Sequence, residues 1–174
     1  MSNSSSSLSF PEAIATTQSL MAKMTDNKLN EAEIEQAVAS IVSTKSGGRG
    51  FFVSYLTSDI SLADNPSVGV INGLKTVPEV VSELLVKNLA MSSAMAVIHR
   101  RNNDQKNVAG SERVCRRTVN LMQQVKLDLV TEELQKLQTT IATGEGDYMD
   151  FLEQWGYDDE QQEVIQKAIF DNLI

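Results

Sequence analysis

The residues best equipped for chemistry lie between positions 99 and 117. That stretch holds Arg100, Arg101, Lys106, Arg113, Arg116 and Arg117 against Asp104 and Glu112, a local charge of +4 in a chain of net charge −8, which leaves −12 elsewhere. Guanidinium groups grip carboxylates and phosphates through paired N–H donors. Arg100 and Arg101 fall at an expected helix C-terminus, where exposed carbonyls favour cations. Arg113, Arg116 and Arg117 follow Ser111, which reads as a helix start, and a helix dipole disfavours cations there by some tenths of a kcal/mol each. Two chemistries follow. Free N–H groups after Gly110 and Ser111, with arginines brought to one end of a hairpin, would hold a phosphate or carboxylate. Alternatively the arginines pair internally with acids of the C-terminal part: Asp147, Asp150, Glu153, Asp158, Asp159 and Glu160. A combined form lets the acidic segment mask the basic end until a partner displaces it.

Other reactive residues are few. His99 and Cys115 each occur once, so no multi-histidine or cysteine-based metal site can assemble, and no intramolecular disulfide can form. An enzyme would have to use His99 as a base or Cys115 as a thiolate activated by the nearby arginines. The bland reading is a helix-end histidine and a half-buried thiol. Gly47, Gly48, Arg49 and Gly50 before Phe51 and Phe52 invite a phosphate-loop reading. They lack the Lys-Ser/Thr ending and follow a helix, so they read as a helix breaker. The carboxylates at 147–150 and 158–160 lack calcium-loop spacing and read as caps. No metal or other cofactor is implied. Trp155, beside Gly156, either docks the C-terminal hairpin or anchors an interface.

The elements that carry these residues read as helices. Ser9 with Glu12, Asn30 with Glu33 and Thr76 with Glu79 have capping-box spacing, and Pro11 and Pro78 fit first turns. Ile14, Thr17, Leu20, Met21 and Met24 form one apolar face, and Ile34, Val38, Ile41 and Val42 a second, across a turn at 25–29. The segment 51–56 fits either a strand or a short buried helix; the helix is favoured because no second strand is evident to pair with it, and 59–67 is read as a loop before a helix capped at Asn65 and Pro66. The run 77–102 is the most apolar and is expected to be the central helix, with Met91 and Met95 in the core. A polar loop is expected over 102–109. That is long for a DNA-binding helix-turn-helix, so sequence-specific nucleic-acid binding is the lesser form of the anion reading. A phase shift near Asp128 and Thr131 predicts a bend or break. Gly144 and Gly146 end that element, Asp147 opens a short helix closed by Gly156, and Asp158 opens the last.

The first hairpin, with its segment KLNEAEIEQAVASIV, is similar in rhythm to the N-terminal helical hairpins of anthranilate phosphoribosyltransferases. The likeness covers less than a fifth of the chain. It implies an amphipathic helix pair and no activity, since the glycine-rich catalytic body of that family is absent.

With 174 residues and 41% apolar content, the chain is sized for one all-α domain. The expectation is a single-domain bundle of six to eight helices over 9–174, after a disordered Ser-rich lead at 1–8. The acidic balance argues against a general nucleic-acid or anionic-membrane binder. No secretory signal is read at the N-terminus, and no membrane span elsewhere. The lone cysteine fits a reducing cytoplasm. The function expected is a non-catalytic cytosolic interaction or regulatory protein with a protein partner or a homo-oligomer, its contact surface at Arg100, Arg101, Arg113, Arg116 and Arg117, with Trp155 as interface candidate. The alternative is binding of a phosphate ligand or nucleic acid at the same patch. The third reading is an enzyme using His99 or Cys115.

Overall fold

The computed structural model describes residues 7–173. Among them there is no strand, and nine α-helices exceed the six to eight expected. They are α1 (Phe10–Thr25), α2 (Glu31–Ile41), α3 (Lys45–Thr57), α4 (Val68–Lys75), α5 (Pro78–Arg101), α6 (Gln105–Val125), α7 (Asp128–Thr143), α8 (Met149–Trp155) and α9 (Asp159–Asn172), with a 3-10 turn at Ser61–Asp64. Of the Ser-rich lead expected at 1–8, residues 1–6 lie outside the described residues; Ser7 and Leu8 are not helical. The chain divides into two compact units between Leu84 and Leu85, inside α5.

In the first unit, caps set the helix starts as the sequence suggests. Ser9 and Glu12 close a reciprocal capping box on α1, and Asn30 and Glu33 close one on α2. The turn between these helices passes through Asn27 in the left-handed region. Helix α1 packs on α3, and α2 on α4. Each contact is seated on glycine. A Cβ on Gly50 would lie 2.5 Å from that of Ala13 and 3.0 Å from the backbone of Phe10 and Ile14. Gly69 and Gly73, one turn apart on α4, are as close to Glu31, Ile34 and Val38 of α2. So Gly47, Gly48 and Gly50 do not break a helix, contrary to expectation. Thr44 caps α3 by accepting the Gly47 N–H at 3.1 Å, and the glycines sit inside it. Their helix penalty is offset by close backbone approach and by the buried Phe51, Phe52, Tyr55 and Leu56. Phe51 and Tyr55 stack at 5.1 Å, and the Tyr55 hydroxyl donates to the Leu62 carbonyl. Helix α4 starts two residues later than the Asn65 cap expected, because Ser67 accepts the Val70 N–H.

Helix α5 is the long apolar helix expected at 77–102. It buries Val81, Leu84, Leu85, Val86, Leu89, Ala90, Ala94, Ala96 and Val97. Its buried face is rotated from the one read. Met95 is 38% exposed, and Met91 is half-buried. By length and composition α5 is apolar enough to cross a membrane, which the sequence reading denied; 67% of its most apolar window is buried inside the fold. The reading looked for an unbroken run, whereas Glu83 and Lys87 interrupt a helix that is otherwise rich in Leu, Val, Ala and Met.

In the second unit, the end of α5 and α6 form a tight helical hairpin. Its turn is only 102–104, with Asn103 in the left-handed region. Asp104 accepts the Asn107 N–H and starts α6 at Gln105, six residues before the Ser111 start expected. The expected break comes at Lys126, left-handed at φ 49°, which ends α6 two residues before Asp128. Left-handed Gly144 and Gly156 end α7 and α8, and Asp158 with Gln161 closes the capping box of α9. Tyr148, not Asp147, precedes α8, and no side chain caps it. Tyr148, Phe151 and Tyr157 meet edge to face, the Tyr148 hydroxyl donates to Glu133 at 2.6 Å, and α7 packs on α9. Burial pushes the Tyr157 phenol above its ordinary range.

Candidate functional site: the basic end of a helical hairpin

The early start of α6 changes what the arginines can do. Arg113, Arg116 and Arg117 begin more than two turns inside the helix, where its N-terminal dipole has faded. Gly110 and Ser111 are mid-helix, so their N–H groups form no phosphate cradle. At the true N-terminus the Asp104 carboxylate takes the Asn107 N–H, and the Asn107 side chain and N–H hold it below its usual pKa. Counted from Gln105, the three arginines no longer oppose the dipole and Asp104 at the cap accords with it, while Lys106 in the first turn is the one cation that still runs against it.

The two arginines at the end of α5 are both engaged by carboxylates. Arg100 donates to Glu112 of α6 at 2.7 Å. Arg101 reaches the start of α9: Nη1 and Nη2 donate to the two Asp158 oxygens at 2.6 and 3.2 Å, Nε donates to Glu160 at 3.1 Å, and Nη2 also contacts Glu160. These bonds hold Asp158 below the usual carboxylate range, with Arg101 the main cause and the Gln161 N–H the second, and raise Arg101 further. Of the internal acids proposed from sequence, Asp158 and Glu160 are thus the ones that meet Arg101. Asp147 instead lies 4.0 Å from Lys136 of α7.

The other three arginines diverge. Arg116 is exposed, one turn beyond Glu112 on the same stripe of α6. Arg113 is half-buried. Arg117 is 3% exposed, so it belongs to the interior of the unit and drops out of any contact surface. What the hairpin presents outward is Arg100, Arg101, Lys106 and Arg116, with Glu112 among them.

Helices α5 and α6 run side by side. Ser93 Oγ and Cys115 Sγ are 3.8 Å apart, and Arg100 meets Glu112 nearer the turn. This is an antiparallel hairpin, and not the near-perpendicular pair of a helix-turn-helix, although its turn is short enough for one. The register also separates the candidates for catalysis. Cys115 sits level with Ser93, and His99 lies six residues further along α5, about 9 Å at 1.5 Å per residue. Cys115 lines a shallow groove of about 200 Å³ with Ser92, Ser93, Ala96, Val164 and Ala168. Among the described residues, no three of His, Cys, Asp and Glu are arranged to hold a metal ion.

Trp155 ends α8 and is 47% exposed, so it is not the anchor that holds the C-terminal hairpin down. That part is played by Phe151 and by Gln161, whose Nε2 donates to the Ala94 carbonyl of α5 at 3.2 Å. Sequence reasoning missed Gln161, which serves in its capping box and reaches across to α5. Its signal was the Asp-x-x-Gln spacing from Asp158.

A family model described as "Uncharacterised conserved protein UCP020893" matches residues 9–172. No curated protein and no solved structure matches the chain.

Proposed function

The chain belongs to the family of that description, and for this member we propose a non-catalytic interaction or regulatory role in the cytoplasm, with a protein partner engaged at the basic end of the α5–α6 hairpin. The observation that carries the reading is the outward display of Arg100, Arg101, Lys106 and Arg116 on one helical hairpin of a chain whose net charge is −8. Such a local reversal of sign steers an oppositely charged partner to one face and repels it from the rest. The separation of Cys115 from His99 supports a role without catalysis. The capping of α6 by Asp104 favours a protein partner over a phosphate ligand. Trp155 offers a second, apolar contact.

The test is a pull-down with the full-length tagged chain from its native cell at low salt, with and without nuclease, beside the Arg100→Glu/Arg116→Glu variant. The expected result is a stoichiometric protein that survives nuclease and is lost with the charge reversal. Partners that vanish with nuclease would overturn the reading in favour of nucleic acid, with its steep salt dependence. A partner indifferent to salt and to the reversal, but lost with Trp155→Ala, would move the contact to an apolar interface.

A further inference from the structure

Resting on the reading that the basic hairpin end is a contact surface, we infer that the acidic start of α9 is a tethered competitor for it, and that the partner it holds off is an acidic protein segment. The present occupant describes the ligand. Arg101 grips two carboxylates two residues apart, Asp158 and Glu160, at the beginning of a helix. Arg100 likewise holds a carboxylate. The outward groups Arg100, Arg101, Lys106, Arg116 and Glu112 sum to +3, and docking of Asp158 and Glu160 lowers this to +1. Most of the outward charge is thus cancelled by groups that the chain itself brings.

The contact is built to exchange. The side chains of Arg101, Asp158 and Glu160 are 41%, 47% and 60% exposed, so water and salt reach all of them. An exposed pair of this kind is worth little on its own. Helix α9 also keeps its place without it, through the Gln161 bond to Ala94 and the buried Ile165 and Ile169. Arg101 can therefore change partners without undocking the helix. A phosphate group would look for free helix N–H donors, and at the start of α6 the Asp104 carboxylate takes the Asn107 N–H and sets a negative charge beside the others. A carboxylate needs only the guanidinium fork, which is what the chain's own acids use.

The test is an NMR titration of the full-length protein at low salt, read at the backbone amides and the arginine Nε–H signals. The probe is a peptide copying residues 157–163. Three proteins are compared: the unaltered chain, Asp158→Asn/Glu160→Gln, and that pair with Arg101→Gln added. Asparagine keeps a capping oxygen at position 158, and melting curves confirm that the variants fold. The double variant should bind the peptide about two- to fivefold more tightly than the unaltered chain, the range that loss of an exposed competing pair supplies. Adding Arg101→Gln should abolish the gain, and a peptide with amides in place of its acids should not bind. Equal affinity in the first two proteins would overturn the competitor while leaving the contact surface standing. No binding by any of the three, or displacement of the peptide by an RNA duplex at lower concentration, would overturn the acidic partner and count against the surface itself.

Discussion

Gly50 and Gly110 show how the same residue type carries opposite consequences on two helices. Both sit inside helices, and helix propensity alone predicts that alanine at either would stabilise by roughly 1 kcal/mol. At Gly110 a Cβ meets nothing within 4 Å, so Gly110→Ala should raise stability by about 0.5–1 kcal/mol. At Gly50 it would meet Ala13 Cβ at 2.5 Å and backbone atoms at 3.0 Å, which cannot rotate away. Gly50→Ala should destabilise by about 1–3 kcal/mol, and urea melts of the two variants should shift in opposite directions. The sequence contains both glycines but not their neighbours, which is why 47–50 read as a break. Asp158 gives a second residue-scale expectation. Its pKa is depressed on folding by Arg101 and the Gln161 N–H. Its contribution is therefore fully present above the unfolded value of about 4 and lost as pH falls through the lower folded value. The stability difference between the unaltered chain and Asp158→Asn should be flat from pH 7 to 5 and shrink below about pH 4. Thermal melts across that range check this. A difference that changes between pH 5 and 7 would assign the titration to another group.

Where a helix begins decided most of what was legible about the site. The apolar periods located the long amphipathic helices α1, α2, α5, α7 and α9, because burial imposes that pattern wherever a helix lies on a core, but the short α3 segment at 51–56 was too brief for periodicity to separate helix from strand. The start of α6 escaped the pattern. Gln105, Lys106 and Asn107 are exposed, so the first turn has no apolar face to read, and Asn102, Asn103 and Asp104 looked like more of the same polar loop. The cap was the only signal, and Ser111 offered a competing one. That single shift of six residues removed the phosphate cradle and turned a long loop into a hairpin turn. At the other end of α6 the break was legible as a phase shift, but its cause was not. Lys126 adopts a left-handed conformation that a side chain with a Cβ resists by roughly 1 kcal/mol. Lys126→Gly should therefore stabilise by up to about 1 kcal/mol, less the entropy glycine adds to the unfolded chain. A lower midpoint in urea would mean that the lysine side chain holds the α6–α7 junction through contacts that outweigh its backbone strain.

On the scale of the whole chain, α5 is the element that neither unit can do without. It gives Val81 and Leu84 to the first unit and Leu85, Leu89, Ala94 and Val97 to the second, all buried. The sequence showed α5 as the most apolar helix but could not show that a unit boundary falls inside it, because periodicity runs unbroken through 84 and 85. A continuous helix is costly to start and cheap to extend, so its two halves melt together more readily than apart. If α5 melts as one helix, unfolding of either unit removes the α5 residues that the other buries. Trp155, the single tryptophan, lies in the second unit and is half-exposed, so its emission reports that unit alone. Gly50→Ala strikes only the first. If α5 couples the units, Gly50→Ala should lower the midpoint seen by Trp155 fluorescence as much as the midpoint seen by far-ultraviolet circular dichroism, with one coincident transition in each trace. A Trp155 midpoint that stays put while the helical signal splits in two would mean that α5 breaks near Leu84 on unfolding. The basic hairpin end would then belong to a unit that holds its structure independently of α1 to α4.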